Sequence, residues 1–408
     1  MTHSRRHFLS TGAAAALAPY AFASHSEEVI RVGVIGCGGR GTGAIWNCLS
    51  SSPMVRIVAL GDVFTERVQS AAAKLVNEPR SFVTPETTFS GFDAFQKVLS
   101  ADIDMVILAT PPHFRPEHFA AAVAADKHVF MEKPVAVDAP GVRTVLAAAS
   151  EATNKKLSVV SGTQRRHQQP YLEAMKQVQD GRIGEIRSAS CWWNQGFLWR
   201  VDRTDTMTDT EWQMRNWLYF TWLSGDHIVE QHIHNIDVCN WAIGGTPISA
   251  TGMGGREVRT GPEWGNIFDH FAIDFEYDND VRVTSWCRQI DGCTGKVAEE
   301  IVGTRGVLRT DGGRSIITGE SPWRNKGGRN PYEQELVDLI ASISGSGPYL
   351  NEGKRVAEST MTAIMGRDSA YSGKKLTWSE AINSEVRLGP DHYAFGPLPV
   401  RPVSVPGS

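Results

Sequence analysis

Gly36-Cys37-Gly38-Gly39-Arg40-Gly41 follows an apolar run from Val29 to Ile35 and opens a segment of helical pattern, Thr42 to Leu49. A G-x-G-x-x-G loop between a buried strand and a helix can hold a dinucleotide. Gly36 permits the tight turn, Gly38 lets backbone N–H groups approach a pyrophosphate, and Gly41 allows close packing of helix on strand. The helix N-terminus favours the negative charge. Asp62 closes the second apolar run, Val55 to Leu60 followed by Gly61. A carboxylate there accepts hydrogen bonds from the adenosine ribose hydroxyls and repels a 2′-phosphate, so NAD(H) is expected rather than NADP(H). The expected coenzyme loop is Gly36, Cys37, Gly38, Gly39, Arg40 and Gly41, with Asp62.

Two other groups of residues carry titratable side chains at suggestive spacings. Glu132-Lys133-Pro134 ends a predicted strand, and ligands bind at the carboxyl ends of strands in open α/β sheets. A cis bond at Pro134 would aim Lys133 inward; on position alone, an ordinary surface lysine fits as well. Glu230-Gln231-His232-Ile233-His234-Asn235-Ile236-Asp237 reads as helix, within about Ile228 to Ile243. On a helix Glu230 and His234 share a face, with Asp237 one turn further. His232 falls about 200° round the helix from Glu230, at ~100° per residue, so no three-ligand metal site forms and no metal is expected. A core histidine is the bland alternative for His234.

The elements that must position these residues change character along the chain. The 408 residues fit two domains. Hydrophobic residues at 41% and charged residues at 21% are those of a soluble globular protein, and a net charge of −4 offers no basic field to nucleic acid. Up to about Arg166, short apolar runs alternate with helical patterns, the signature of a doubly wound parallel sheet. Beyond it, strands such as Phe268 to Tyr277 alternate apolar and polar residues, which indicates an antiparallel sheet with one face packed on helices. The expected fold is an N-terminal Rossmann domain (24–165) followed by an α+β domain (166–388) with a large, mostly antiparallel open sheet. A Pro-rich tail (389–408) is expected to run extended, with a neighbouring subunit as one place for it to wrap.

Residues 1–23 read as a removable leader. Ser4-Arg5-Arg6-His7-Phe8-Leu9 is a twin-arginine pattern, Gly12 to Ala18 is a short apolar run, and Ala21-Phe22-Ala23 resembles a signal-peptidase site. The expectation is an exported, periplasmic protein with no membrane segment once mature. Export of a folded protein points to a coenzyme that is held tightly or regenerated in each turnover. The six cysteines show neither CxxC nor zinc-type spacing and read as buried, mostly reduced thiols.

Trp192, Trp193, Trp199, Trp212, Trp217 and Trp222 crowd one stretch. Aromatic rings stack on the C–H faces of sugars, and they also fill sheet–helix interfaces. Trp193 and Asn194, with Arg166 at the end of the last Rossmann strand, are the expected substrate contacts beside His234.

At this point the chain resembles the Gfo/Idh/MocA oxidoreductases over nearly its whole mature length. The carrying residues are the glycine loop, Ala109-Thr110-Pro111-Pro112, Lys127-His128-Val129 leading into Glu132-Lys133-Pro134, and Gly162-Thr163-Gln164-Arg165-Arg166. Gly181 to Ile186, Glu230 to Asp237 and Ser372-Gly373-Lys374-Lys375 complete the set. The resemblance implies that Lys133 and His234 are catalytic, with Glu230 in place of the usual aspartate. It implies coenzyme contacts from Thr110, Pro111, His113, Glu132 and Lys133. Arg115 stands where the family usually has a histidine. The implied reaction is NAD-dependent hydride transfer at a secondary hydroxyl of a carbohydrate or cyclitol, by a homo-oligomer (dimer or tetramer). His234 would take the hydroxyl proton, Glu230 would orient its ring, and Lys133 would stabilise the developing alkoxide. The alternative is glycoside cleavage by transient C3 oxidation and elimination, with the coenzyme recycled.

Overall fold

The computed structural model describes residues 29–278 and 280–407. The expected leader, residues 1–23, lies outside them.

The first half contains strands β1 (Ile30–Ile35), β2 (Val55–Asp62), β3 (Thr88–Ser90), β4 (Met105–Leu108), β5 (His128–Met131) and β6 (Val159–Ser161). Helices α1 (Gly39–Ser51), α2 (Thr65–Leu75), α3 (Ala94–Leu99), α4 (Arg115–Ala124) and α5 (Ala139–Asn154) connect them. The strands form one parallel sheet in the order β3-β2-β1-β4-β5-β6. Every residue of β4 is buried, as a strand covered on both faces requires. α1 buries Ala44, Ile45, Cys48 and Leu49 on one stripe. α5 starts where the Asp138 carboxylate accepts the Gly141 N–H at 2.9 Å, with Pro140 in the first turn.

The second half contains helices α6 (Gln169–Gln179), α7 (Asp209–Arg215), α8 (Thr221–Ser224), α9 (His227–Glu230), α10 (Ile233–Ile243), α11 (Pro331–Ser344), α12 (Gly353–Ser372) and α13 (Trp378–Ile382). Its strands are β7 (Ile186–Gln195), β8 (Ser249–Gly255), β9 (His270–Glu276), β10 (Arg282–Gln289) and β11 (Lys296–Gly303). Four shorter ones follow: β12 (Gly306–Thr310), β13 (Arg314–Gly319), β14 (Trp323–Lys326) and β15 (Leu376–Thr377). They form a single sheet, β14-β13-β12-β11-β7-β10-β9-β8-β15. β7 and β10 run parallel, and the other neighbouring pairs are antiparallel. Phe271, Ile273 and Phe275 alternate inward from β9 and are buried. The opposite face is open, with Trp192 stacked on Trp286 and Met253 exposed.

Two features depart from the sequence reading. The helix expected over residues 228–243 is two helices, because the chain turns at Gln231 and His232 between α9 and α10. α12, with 20 residues, is buried around most of its circumference, so it lacks the polar stripe that marks a helix in sequence. As expected, the tail after Gly389 runs without a regular element; it packs on its own chain, down to a Gly407 N–H bond to the Ser372 carbonyl at 3.1 Å.

Candidate active site

The loop from β1 to α1 forms the floor of a cleft of about 630 Å³ at the carboxyl end of the parallel sheet. Gly36 has φ +98°, and a Cβ there would lie 2.5 Å from the Ala109 backbone. Gly41 packs against the Gly36 carbonyl. On the open side, a Cβ at Gly38 would meet only an Arg67 nitrogen at 3.9 Å, and one at Gly39 would meet nothing within 4 Å. α1 therefore presents its first N–H groups to the cleft with no side-chain cap over them, the arrangement that receives a pyrophosphate. Asp62, at the end of β2, lines the same cleft. One of its oxygens accepts the Cys37 N–H at 2.7 Å and the other the Phe64 N–H at 3.0 Å, so it also fixes the loop. Burial pushes its carboxyl above the usual range despite these bonds. The open helix end and the acid at the ribose position fit NAD.

Cys37 thus spends its N–H on Asp62, and its thiol turns to the Gly61 carbonyl at 3.5 Å. Arg40 lines the cleft but is held from behind, by ion pairs with Glu132 and with buried Glu335 at 3.2 Å. Glu132 is consequently a brace for Arg40. Gly162 packs beside it, where a Cβ would lie 2.5 Å from the Glu132 carboxylate and push it aside. Thr110 and Pro111 line the cleft as expected. His113 does not line it: its Nε2 pairs with the Tyr393 hydroxyl at 2.8 Å, and burial pushes its pKa down to about 4. Arg115 has a different task from the histidine it replaces. Buried, it donates to the Glu132 carbonyl at 2.9 Å and the Thr110 carbonyl at 2.7 Å. It ties the ends of β4 and β5 together just before Lys133.

The Lys133–Pro134 bond is cis. Lys133 Nζ donates to Glu230 Oε1 at 2.7 Å and to the Glu230 carbonyl at 2.5 Å. Glu230 is therefore committed to Lys133, and no hydrogen bond joins it to His234. The turn between α9 and α10 breaks the i, i+4 geometry that would have paired them. His234 is 6% exposed and stacks on Trp193 with ring centroids 5.7 Å apart. Its Nδ1 is buried without a hydrogen-bond partner among the described residues. Burial, with Lys133 and Arg165 nearby, drives its pKa well below the usual imidazole range.

The remaining expected substrate contacts separate. Trp193 orients His234 and donates from Nε1 to Gln195 at 2.7 Å. Asn194 alternates to the open face of the sheet with Trp192, away from His234. Arg166 grips buried Asp237 with bonds of 2.7 and 3.0 Å, and its guanidinium lies 4.3 Å from the Trp241 ring centroid. It anchors α10. The sequence reading did not find Phe64, Arg67, Arg215 and Tyr393, which line the cleft. Phe64 and Arg67 follow Asp62 closely, but Arg215 and Tyr393 arrive from distant segments that carry no local signal.

Residues 30–161 match the profile of the GFO/IDH/MocA oxidoreductase family, NAD-binding Rossmann fold, and residues 171–309 match the GFO/IDH/MocA C-terminal domain. The chain is similar to inositol 2-dehydrogenase 3 of Saccharopolyspora erythraea, 27% identical over 358 residues, covering 85% of this chain and 94% of that protein. It is also similar to 2,7-anhydro-N-acetylneuraminate hydratase of Escherichia coli, 28% identical over 233 residues, covering 55% of this chain and 58% of that one. The fold resembles aldose–aldose oxidoreductase from Caulobacter crescentus, solved with glycerol, with a TM-score of 0.69 at 17% identity over 86% of this chain and 99% of that one.

Proposed function

The chain belongs to the GFO/IDH/MocA oxidoreductase family, and from that membership we propose that it is an NAD-dependent oxidoreductase acting on a secondary hydroxyl of a carbohydrate or cyclitol. The similarity to an inositol dehydrogenase over most of both chains supports the substrate class. The observation that carries the reading is Lys133, fixed by two bonds to Glu230 and close enough to buried His234 to help keep its imidazole neutral.

The open N-terminus of α1 and Asp62 would hold NAD, which would supply the hydride acceptor when bound. A neutral imidazole at His234 accepts the proton of the hydroxyl oxygen as the carbon is oxidised. Lys133 has three N–H donors, and two are engaged by Glu230. The third is free to stabilise negative charge developing on the same oxygen. Trp193 keeps the imidazole plane fixed, which limits the reorganisation needed at the moment of proton transfer.

A second reading is redox-neutral cleavage of a glycoside. Oxidation at C3 would pass a hydride to NAD+ and acidify the C2 proton, elimination would expel the aglycone, water would add at C1 with a proton at C2, and the hydride would then return to C3. The similarity to a hydratase supports it, together with Trp199 and Trp217 in the lining of the cleft. A panel of polyols, sugars and glycosides with NAD+ tests the two. Stoichiometric growth of NADH absorbance supports the dehydrogenase. Release of free sugar without NADH supports cleavage. Neither signal from any member of the panel overturns both. We also propose export through the leader at Ser4 to Leu9, which cell fractionation with Arg5 and Arg6 changed to lysine would test.

A further inference from the structure

The tail lies beyond both matched regions, which end at residues 161 and 309, yet it returns to the coenzyme cleft. The Leu388 N–H donates to Asp138 at 3.0 Å, at the start of α5. The Tyr393 ring lies 5.2 Å from Phe114 and 6.0 Å from Phe92, and Phe395 lies 5.2 Å from Phe92 and 5.8 Å from Phe64, measured between ring centroids. Beyond these rings the tail is bonded to α7. The Gly396 carbonyl accepts the Thr210 N–H at 3.1 Å, the Leu398 N–H donates to Asp209 at 3.0 Å, and Gln213 donates to the Leu398 carbonyl at 2.6 Å. α7 itself reaches back to the Rossmann domain, where Arg215 pairs with Glu66 at 2.6 Å and covers the Phe64 ring at 3.9 Å.

We propose that residues 389–398 are a third component of the NAD site, closing the adenosine half of the cleft and slowing coenzyme release. Asp62, Phe64, Arg67, Phe92, Arg215 and Tyr393 line one cleft. Asp62 places the adenosine ribose there, two residues from Phe64. An adenine ring is flat and aromatic, and aromatic rings and guanidinium groups are the surfaces on which it stacks. Tyr393 supplies one wall of that space, and Phe395 holds Phe64 and Phe92 from outside. Pro390, Pro397 and Pro399 reduce the freedom of the unbound tail, so seating it costs less entropy. Phe395 is still 44% exposed, so the closure rests on ring contacts and a few hydrogen bonds that can open for exchange.

The test uses the full chain, a Tyr393→Ala/Phe395→Ala double variant, and a chain ending at Leu388. Each is loaded with NADH and chased with excess NAD+ in the absence of sugar, and the loss of bound NADH fluorescence gives the release rate. Both altered proteins are expected to release NADH at least ~10-fold faster, since changes of this kind act mainly on dissociation. Their affinity for ADP should fall while that for nicotinamide mononucleotide is kept. Release within about twofold of the full chain in the double variant overturns the proposal, and that variant decides if the shortened chain does not fold. A shortened chain that loses subunit association by native mass while keeping slow release also overturns it, and assigns the tail to a subunit contact. No substrate enters the experiment, so the outcome is separate from the choice between dehydrogenase and glycoside-cleaving enzyme.

Discussion

Glu230 holds Lys133 from two directions at once, by its carboxylate at 2.7 Å and by its own backbone carbonyl at 2.5 Å. The carboxylate bond is lost on substitution and the carbonyl bond is not. Glu230→Ala should therefore leave Lys133 in place but loosely aimed. Turnover is expected to fall by roughly 10- to 100-fold, less than for His234→Ala or Lys133→Ala, which should each cost at least ~100-fold. Steady-state kinetics beside NAD+ titrations check this. A Glu230→Ala enzyme with unchanged kcat would remove Glu230 from the site.

Asp62 accepts two N–H groups and faces the coenzyme cleft. Asp62→Ser removes the charge expected to meet the ribose hydroxyls, with Arg67 close by to meet a phosphate. A hydrogen bond to a charged group is worth about 1.5–3 kcal/mol, so kcat/KM for NAD+ should drop at least ~10-fold and the preference should move toward NADP+. Parallel assays with both coenzymes measure the ratio; an unchanged ratio would place the selectivity elsewhere.

Arg115 is buried, and its pKa is pushed down to about 10, so it still carries its proton at neutral pH. Arg115→Met leaves the Thr110 and Glu132 carbonyls without their donor. Orphaned buried groups cost about 1–3 kcal/mol each, so the variant should lose about 2–5 kcal/mol in urea unfolding. A loss below about 1 kcal/mol would mean that the cleft edge relaxes to satisfy both carbonyls.

Four desolvated histidines are expected to contribute to the acid limit. Burial holds His113 at about 4 and His118 at about 3, and pushes His227 and His234 well down. The unfolded chain takes up protons near pH 6.5, before the folded one does, so stability holds above that value and falls below it. Each such group contributes a slope of about 1.4 kcal/mol per pH unit between 6.5 and its folded value. His167 has the opposite sign. Its bonds to Asp338 and Glu352 raise it to about 9, so its contribution is complete below about 6.5 and is lost as pH rises through 9. Urea midpoints from pH 8 to pH 4 should show a steep acid limb, and His118→Gln should make it shallower. An equally steep limb in that variant would trace the acid loss to other groups.

What the sequence disclosed followed local geometry. The glycine loop, Asp62 and Lys133 each lie at a strand end, where a short apolar run and its stop signal place them within a residue or two. The pairing of Glu230 with His234 misled because it assumed one continuous helix, and the turn at Gln231 and His232 redirects Glu230 toward Lys133. Arg166 looked free because Asp237, which neutralises it, lies 71 positions away. Asn194 offers an amide beside Trp193 in sequence, but strand alternation puts adjacent side chains on opposite faces. Tyr393 and Arg215 reach the cleft through long-range contacts that no periodicity records.

The parallel pairing of β7 with β10 has a kinetic consequence. Two parallel neighbours cannot zip from a hairpin, so residues 196–281 must first be gathered into a crossover before Trp193 meets Cys287 in register. That crossover includes α9 and α10. Contacts of such high sequence separation form slowly because loop closure precedes any gain from pairing. The central seam of the large sheet is therefore expected to close late in folding, after the crossover that carries α9 and α10 has been gathered.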